Sequence, residues 1–252
     1  MFEGATMSGH SKWATIKHAK GLADAKRGQA FTKFIKEISI AARMGGGDPN
    51  TNPRLRTVIL KARGANMPKD NIERAIKKGT GELGATTYEE LNYEGYGPGG
   101  VAVLVEVLTD NKNRAAADVR NLFSKNGGNL GATGSVSYMF KRLGQIEYDA
   151  TAVNEDKLME DALEAGADDI SNDDGVITVT TDPVNFEKTL EALQAKGYES
   201  LSASVSMVPD VYSTLDIDTT RKVLKLIDKL EENDDVQNVY SNIEIPEGYE
   251  EE

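Results

Sequence analysis

A chain of 252 residues that is 39% apolar and 28% charged has the make-up of a globular protein, and no apolar run approaches the ~18 residues needed to cross a bilayer. Cysteine is absent, which excludes disulfides, thiol nucleophiles and cysteine-ligated metals. The net charge of −12 is unevenly divided: residues 1–80 hold 16 Lys+Arg against 6 Asp+Glu, net +10, and residues 81–252 hold 13 against 35, net −22. Such a division points to a polyanion met by the basic end first, because the acidic remainder would be repelled by it.

Met1 to Thr6 lacks the basic start and apolar core of a secretory signal and reads as an upstream extension, with Met7 as the natural start. GHSKWATIKHAKGLADAKRG, residues 9–28, contains both histidines and the only tryptophan. Its apolar residues make no wide face, so a partly helical, partly mobile arm is expected. Phe31, Phe34, Ile35, Ile38, Ala41 and Ala42 then recur at helical spacing, and the glycines of MGGGDPNTNP end that helix. Asn52 followed by Pro53 predicts an N-cap with proline at the first helical position. Leu55, Val58, Ile59 and Ala62 form the next stripe, and PKDNIERAIKKG gives a third helix closed by Gly79. Three short amphipathic helices should pack as a bundle.

From about residue 82 the period changes. LNYEGYGPGGVAVLVEVLTD reads as strand, glycine-rich turn and strand. Asn111 is expected to cap a helix that buries Ala115, Val119, Leu122 and Phe123, and SVSYMF reads as a further strand with Val136, Tyr138 and Phe140 on one face. Residues 143–209 then follow the order β-α-β-β-α-β, the ferredoxin-like split pattern. A helix near 219–232 and the strand VQNVYS complete the earlier unit. The expected architecture is therefore α+β and multi-domain: an N-terminal helical bundle followed by two ferredoxin-like α/β domains, the third inserted in the second. The expected boundaries are 1–81 for the basic arm and bundle, 82–142 plus 210–245 for the discontinuous domain, 143–209 for the acidic insert, and 246–252 for an acidic tail.

The candidate chemistry lies in the basic residues. Lys12, Lys17, Lys20, Lys26, Arg27, Lys33 and Lys36 surround Trp13, and nucleic-acid binding needs cations for phosphate and a flat ring for an unpaired base. The plainer alternative tucks Trp13 into the bundle and leaves the lysines solvated. His10 and His18 lack the companions that a metal or a catalytic pair requires; hydrogen bonding to phosphate or base edges, or simple surface placement, fits them better. Lys112 and Arg114 stand in the first turn of a helix, where cations oppose the helix dipole, which suggests a second phosphate contact or a surface turn. GGNLGATGS lacks the Gly-Lys-Ser/Thr ending of a nucleotide loop and reads as tight turns. ADDISNDDG and EENDD lack a calcium-loop pattern and read as solvated, repulsive surface. The strands carry no RNP aromatics, so an RNA-facing sheet is not expected. No catalytic set, metal site or cofactor site is found.

SGHSKWATIKHAKGLADAKRGQAFTK, GGGDPNTNPRLRTVILKARGANMPKDNIERAIKKG, YEGYGPGGVAVLVEVLTDNKNRAAADVR and GGNLGATGSVSYMF together resemble the YebC family, the bacterial relatives of the mitochondrial translational activator of cytochrome c oxidase subunit I. The resemblance runs from about Ser8 to the end of the chain. It implies three domains with the third inserted in the second, and a cytoplasmic, non-enzymatic regulator that touches nucleic acid. It implies either a DNA-binding transcriptional regulator or a ribosomal translation factor acting at stalling sequences such as proline runs. The family's basic arm maps onto Lys12, Trp13, Lys17, His18, Lys20, Lys26 and Arg27. Ribosomal RNA is the preferred partner, since a cationic arm with one stacking ring suits irregular RNA better than duplex DNA. In the DNA alternative, Arg54, Arg56, Lys61, Arg63, Lys69, Arg74, Lys77 and Lys78 lie on the duplex. No membrane contact and no small-molecule substrate are expected.

Overall fold

The computed structural model describes residues 24–84, 87–173 and 175–249, with side chains from Gly28 onward. Among them are seven helices and two four-stranded antiparallel sheets, an α+β architecture. The chain divides into two compact units. One joins Gly21–Val136 with Asp218–Ser241, and the other holds Ser137–Ile217 and the stretch from Asn242 onward.

The first unit begins with the helical bundle. Helix α1, Asp24–Gly45, runs 22 residues and buries Ile38, Ala41 and Ala42 against Leu55, Val58, Ile59 and Ala62 of α2, Pro53–Gly64. Helix α3, Lys69–Gly79, adds Ile72 and Ala75 to the same core. Asn52 is 4% exposed and joins two helices with one amide. Its Oδ1 accepts from the Leu55 N–H at 3.1 Å and its Nδ2 donates to the carbonyls of Ala41 and Gly46, both at 2.8 Å. The cap expected from the Asn-Pro pair is present, and it also closes the end of α1. Gly79 permits the tight crossing of α3 on α1, because a Cβ there would stand 2.2 Å from the Ser39 carbonyl oxygen.

The same unit contains a four-stranded sheet in which residues 129–130, 89–96, 102–109 and 236–241 lie side by side in that order. Strands β1, Glu89–Tyr96, and β2, Ala102–Thr109, form a hairpin in which Glu89 faces Thr109 and Tyr96 faces Ala102. Helix α4, Lys112–Lys125, buries Ala115, Val119 and Phe123, and Asn111 caps it by accepting from the Arg114 N–H at 3.1 Å. The short β3, Asn129–Leu130, pairs with the end of β1, and helix α7, Ile217–Glu231, leads into the edge strand β9, Val236–Ser241. The bundle reaches this sheet where Ile40 of α1 packs with Tyr88 and Leu108.

The strand expected at SVSYMF is not formed. Ser137–Met139 is a 3-10 turn, and Phe140 instead opens the strand Phe140–Asp149 of the other sheet. The reason lies in Glu94, a 4% exposed carboxylate on β1. It accepts from the Gly134 N–H at 2.7 Å and the Val136 N–H at 2.8 Å, which removes those donors from any ladder. Gly134 meets the resulting turn at φ +85°, a conformation that glycine takes without strain.

The second unit contains β4, Phe140–Asp149; α5, Glu155–Ala165; β5, Asp169–Asp173; β6, Val176–Thr181; α6, Phe186–Ala195; and β7, Ser202–Pro209. The strand order β5-β6-β4-β7, antiparallel throughout, is that of a split β-α-β-β-α-β unit. Ile146, Tyr148, Ile177 and Val179 pack with Leu158, Ala162, Phe186 and Leu193 of the two helices. The alternate residues form two cross-strand rows on the opposite face, Asp169–Thr180–Gln145–Ser204 and Ser171–Thr178–Glu147–Ser202. Those rows hold neither a cation nor an aromatic ring. Two short strands, β8 at Ser213–Thr214 and β10 at Ile243–Glu244, pair in parallel within this unit.

Candidate nucleic-acid interface

Five of the predicted contact residues, Lys12, Trp13, Lys17, His18 and Lys20, lie outside the described residues. Lys26 and Arg27 fall on the first turn of α1, with their side chains outside the described set. The remaining four, Lys33, Lys36, Lys112 and Arg114, are all described, and three of them turn toward the protein itself.

Gln29, Lys33 and Lys36 share one flank of α1 at i, i+4 and i+7 spacing. Gln29 donates to the Glu232 carbonyl and Lys33 to the Glu231 carbonyl, each at 2.7 Å, at the C-terminal end of α7. Lys36 donates to the Asp234 carbonyl at 2.8 Å and to the Asp235 carboxylate at 2.5 Å. Cations belong at that end of a helix, where unpaired carbonyls concentrate negative potential. Asp235, 5% exposed, also accepts from Arg114 at 2.8 Å and from the Thr109 hydroxyl at 3.0 Å. Arg114 reaches Asp110 as well, at 2.9 Å.

Lys36 is 8% exposed, so it is an internal clamp and not a phosphate contact. Arg114 is likewise engaged by two carboxylates. Burial alone would raise the Asp235 carboxyl, but the hydrogen bonds from Lys36 and Arg114 outweigh it and hold the group below the usual carboxylate range. EENDD therefore ends in a buried, neutralised aspartate where the sequence suggested solvated surface. The available signal was the i, i+4, i+7 recurrence of long polar donors beside the apolar stripe of α1.

The bundle presents its other cations outward. Lys61 and Arg63 of α2 and Arg74 and Lys77 of α3 are exposed, and none is bridged to a carboxylate among the described residues. Arg54 is paired with Glu90, Lys69 stands 3.4 Å from Glu73, and Lys78 donates to the Tyr88 hydroxyl at 3.0 Å while lying over its ring. Burial pushes the carboxyl of Glu37 up, with Lys61 and Arg54 opposing. Lys112 is 64% exposed and only loosely met by Glu89 at 4.0 Å. No group of three His, Cys, Asp or Glu side chains able to hold a metal occurs among the described residues.

Residues 11–82 match the TACO1/YebC protein N-terminal domain, and residues 88–243 match the TACO1/YebC second and third domain. The chain belongs to the TACO1/YebC family. It is 80% identical over 244 residues to a Treponema denticola protein named a probable transcriptional regulatory protein, covering 97% of this chain and 99% of that one. A Treponema pallidum protein of the same name is 77% identical over 240 residues, covering 95% and 98%. Among solved structures, a conserved hypothetical protein of Aquifex aeolicus superposes with a TM-score of 0.84 at 49% identity, over 96% of this chain and all of that one. Within the family frame, the N-terminal bundle carries Lys61, Arg63, Arg74 and Lys77 exposed and unbridged by carboxylates among the described residues, whereas residues 143–209 hold 3 Lys+Arg against 15 Asp+Glu.

Proposed function

We propose that this protein is a non-enzymatic, cytoplasmic regulator of gene expression that works on the ribosome. Its basic opening segment and helical bundle contact ribosomal RNA and relieve stalling at sequences such as proline runs. The division into a basic bundle, a discontinuous α/β domain and an acidic insert belongs to the same reading: the basic bundle meets phosphate and the acidic insert does not. The observation that carries it is the sorting of cations on the bundle. Lysines on the inner flank of α1 are consumed by α7 and Asp235, while Arg63, Arg74 and Lys77 stay exposed without carboxylate partners among the described residues. Cations kept free on an acidic protein favour a polyanion.

The names of the curated relatives favour a second reading, transcriptional control through duplex DNA. The bundle offers cations to a duplex, but sequence-specific reading would need a helix entering the major groove with side chains at base edges. Co-sedimentation separates the two. The full chain should travel with ribosomes at physiological salt and lose that association when Lys12, Lys17 and Lys20 are changed to Glu. A promoter footprint that survives competitor DNA, with no ribosome association, would establish the transcriptional reading instead.

A further inference from the structure

Helix α4 holds 4 Lys+Arg and a single acidic residue, Asp118, within 14 positions. Residues 81–252 as a whole hold 13 Lys+Arg against 35 Asp+Glu, so this helix inverts its surroundings. Arg114 is occupied by Asp110 and Asp235. Of the other three cations, Lys112 alone has a carboxylate nearby among the described residues, Glu89 at 4.0 Å. Lys112 is 64% exposed, and Arg120 and Lys125 are exposed with no carboxylate partner among the described residues.

Between them, Asn113, Ala117, Asn121 and Ser124 follow the outward helical spacing and bring no negative charge. Tyr93 of β1 lies half-buried beside the helix, its hydroxyl donating to the Lys112 carbonyl at 3.3 Å. Burial pushes the Tyr93 phenol up, with the positive charge of Arg120 opposing and the negative charge of Asp235 adding to it.

We propose that the exposed surface of α4, from its N-terminal end to Lys125, is a second RNA contact, in which Lys112, Arg120 and Lys125 bind phosphates and Tyr93 offers a face to an unpaired base. The proposal rests on the reading that the protein binds RNA, and it adds residues beyond those of the opening segment and the bundle. Lys112 and Lys125 are 13 positions apart, roughly 20 Å along the helix, a span suited to a few nucleotides of single strand. The inner half of α4 is sunk into its sheet through Ala115, Val119 and Phe123, so the helix cannot enter a major groove deeply. Unpaired or looped RNA, with phosphates and bases both accessible, fits this flat, half-embedded surface better than a duplex.

The test uses the full-length protein and a fluorescently labelled, unpaired RNA oligonucleotide. Arg120→Glu with Lys125→Glu should weaken binding about tenfold at physiological salt and lower the salt slope by about 1.4, two phosphates at ~0.7 each. The same charge change placed on the insert, Lys157→Glu with Lys188→Glu, should alter affinity less than twofold. Tyr93→Leu should weaken binding about fivefold or more and Tyr93→Phe should retain it, as loss of one base stack requires. Circular dichroism on each variant reports folding, and the Arg120/Lys125 pair stands even if Tyr93→Leu unfolds.

RNA binding that persists unchanged in the Arg120/Lys125 variant overturns the second contact and leaves the proposed function intact. Absence of RNA binding in the unaltered protein overturns both. A loss confined to duplex DNA overturns RNA as the occupant.

Discussion

The two four-stranded sheets carry their helices on related plans and present opposite charge. Beside the sheet of the first unit, α4 has four cations and one carboxylate. The sheet of the second unit belongs to a stretch, residues 140–209, with 5 Lys+Arg and 15 Asp+Glu, and two of those five cations are bridged, Lys196 to Asp161 at 2.5 Å and to Glu164 at 3.0 Å, and Lys141 to Asp210 at 2.7 Å. The two cross-strand rows on its outer face are hydroxyls, one amide and carboxylates, with no cation for phosphate and no ring to stack on a base. Similar backbones thus supply no common function; the surface chemistry decides which region a polyanion can approach. A second contrast lies within the bundle, where the same residue type serves as an internal clamp on one flank and as an exposed charge elsewhere.

The sharpest way to break the second contrast is Asp235→Asn. It leaves Lys36 buried beside an amide and should cost about 3 kcal/mol of unfolding free energy, as removal of one partner of a buried pair does, measured by urea denaturation. Because the folded Asp235 carboxyl is held low, its contribution is present above the ordinary carboxylate pKa of about 4 and lost as pH falls below it. The difference between wild type and variant should therefore be constant from about pH 5 to 7 and narrow below about pH 4. A gap that persists undiminished in strong acid would mean that the ionised carboxylate is not what stabilises the clamp.

On the outer surface, Arg63→Glu, Arg74→Glu and Lys77→Glu together should weaken RNA binding about 30-fold, roughly 2 kcal/mol, while the unfolding midpoint moves little. Titrations at fixed salt check this. Asn52→Ala should destabilise the bundle by about 1 to 2 kcal/mol through the lost cap and two lost carbonyl bonds, read from thermal unfolding, with RNA affinity at low temperature unchanged. The smallest effect belongs to the insert: Lys157→Glu with Lys188→Glu should change ribosome co-sedimentation hardly at all, and a loss comparable to the bundle variant would erase the distinction between the two regions.

What the sequence revealed follows the range of the deciding interaction. The caps at Asn52 and Asn111 were legible because an amide, a following proline or polar turn, and the first helical N–H lie within a few residues. The β-α-β-β-α-β order of the second unit was legible from alternation and helical stripes in succession. SVSYMF was misread because its period-two pattern is genuine, yet Glu94, 42 residues before Val136, takes the backbone donor that a strand needs. Lys36 and Arg114 read as phosphate ligands because their partner, Asp235, lies 199 and 121 residues away. Local composition registers the presence of charge; only the tertiary fold determines whether that charge is already neutralised.

The most direct test of the central claim, that the basic front meets phosphate and the acidic insert does not, is the salt dependence of RNA affinity for the full chain with and without Lys12→Glu, Lys17→Glu and Lys20→Glu. Three lost phosphate contacts predict a slope lower by about 2, with the insert variant keeping the wild-type slope. An unchanged slope in the front variant, or an equal fall in the insert variant, would contradict it.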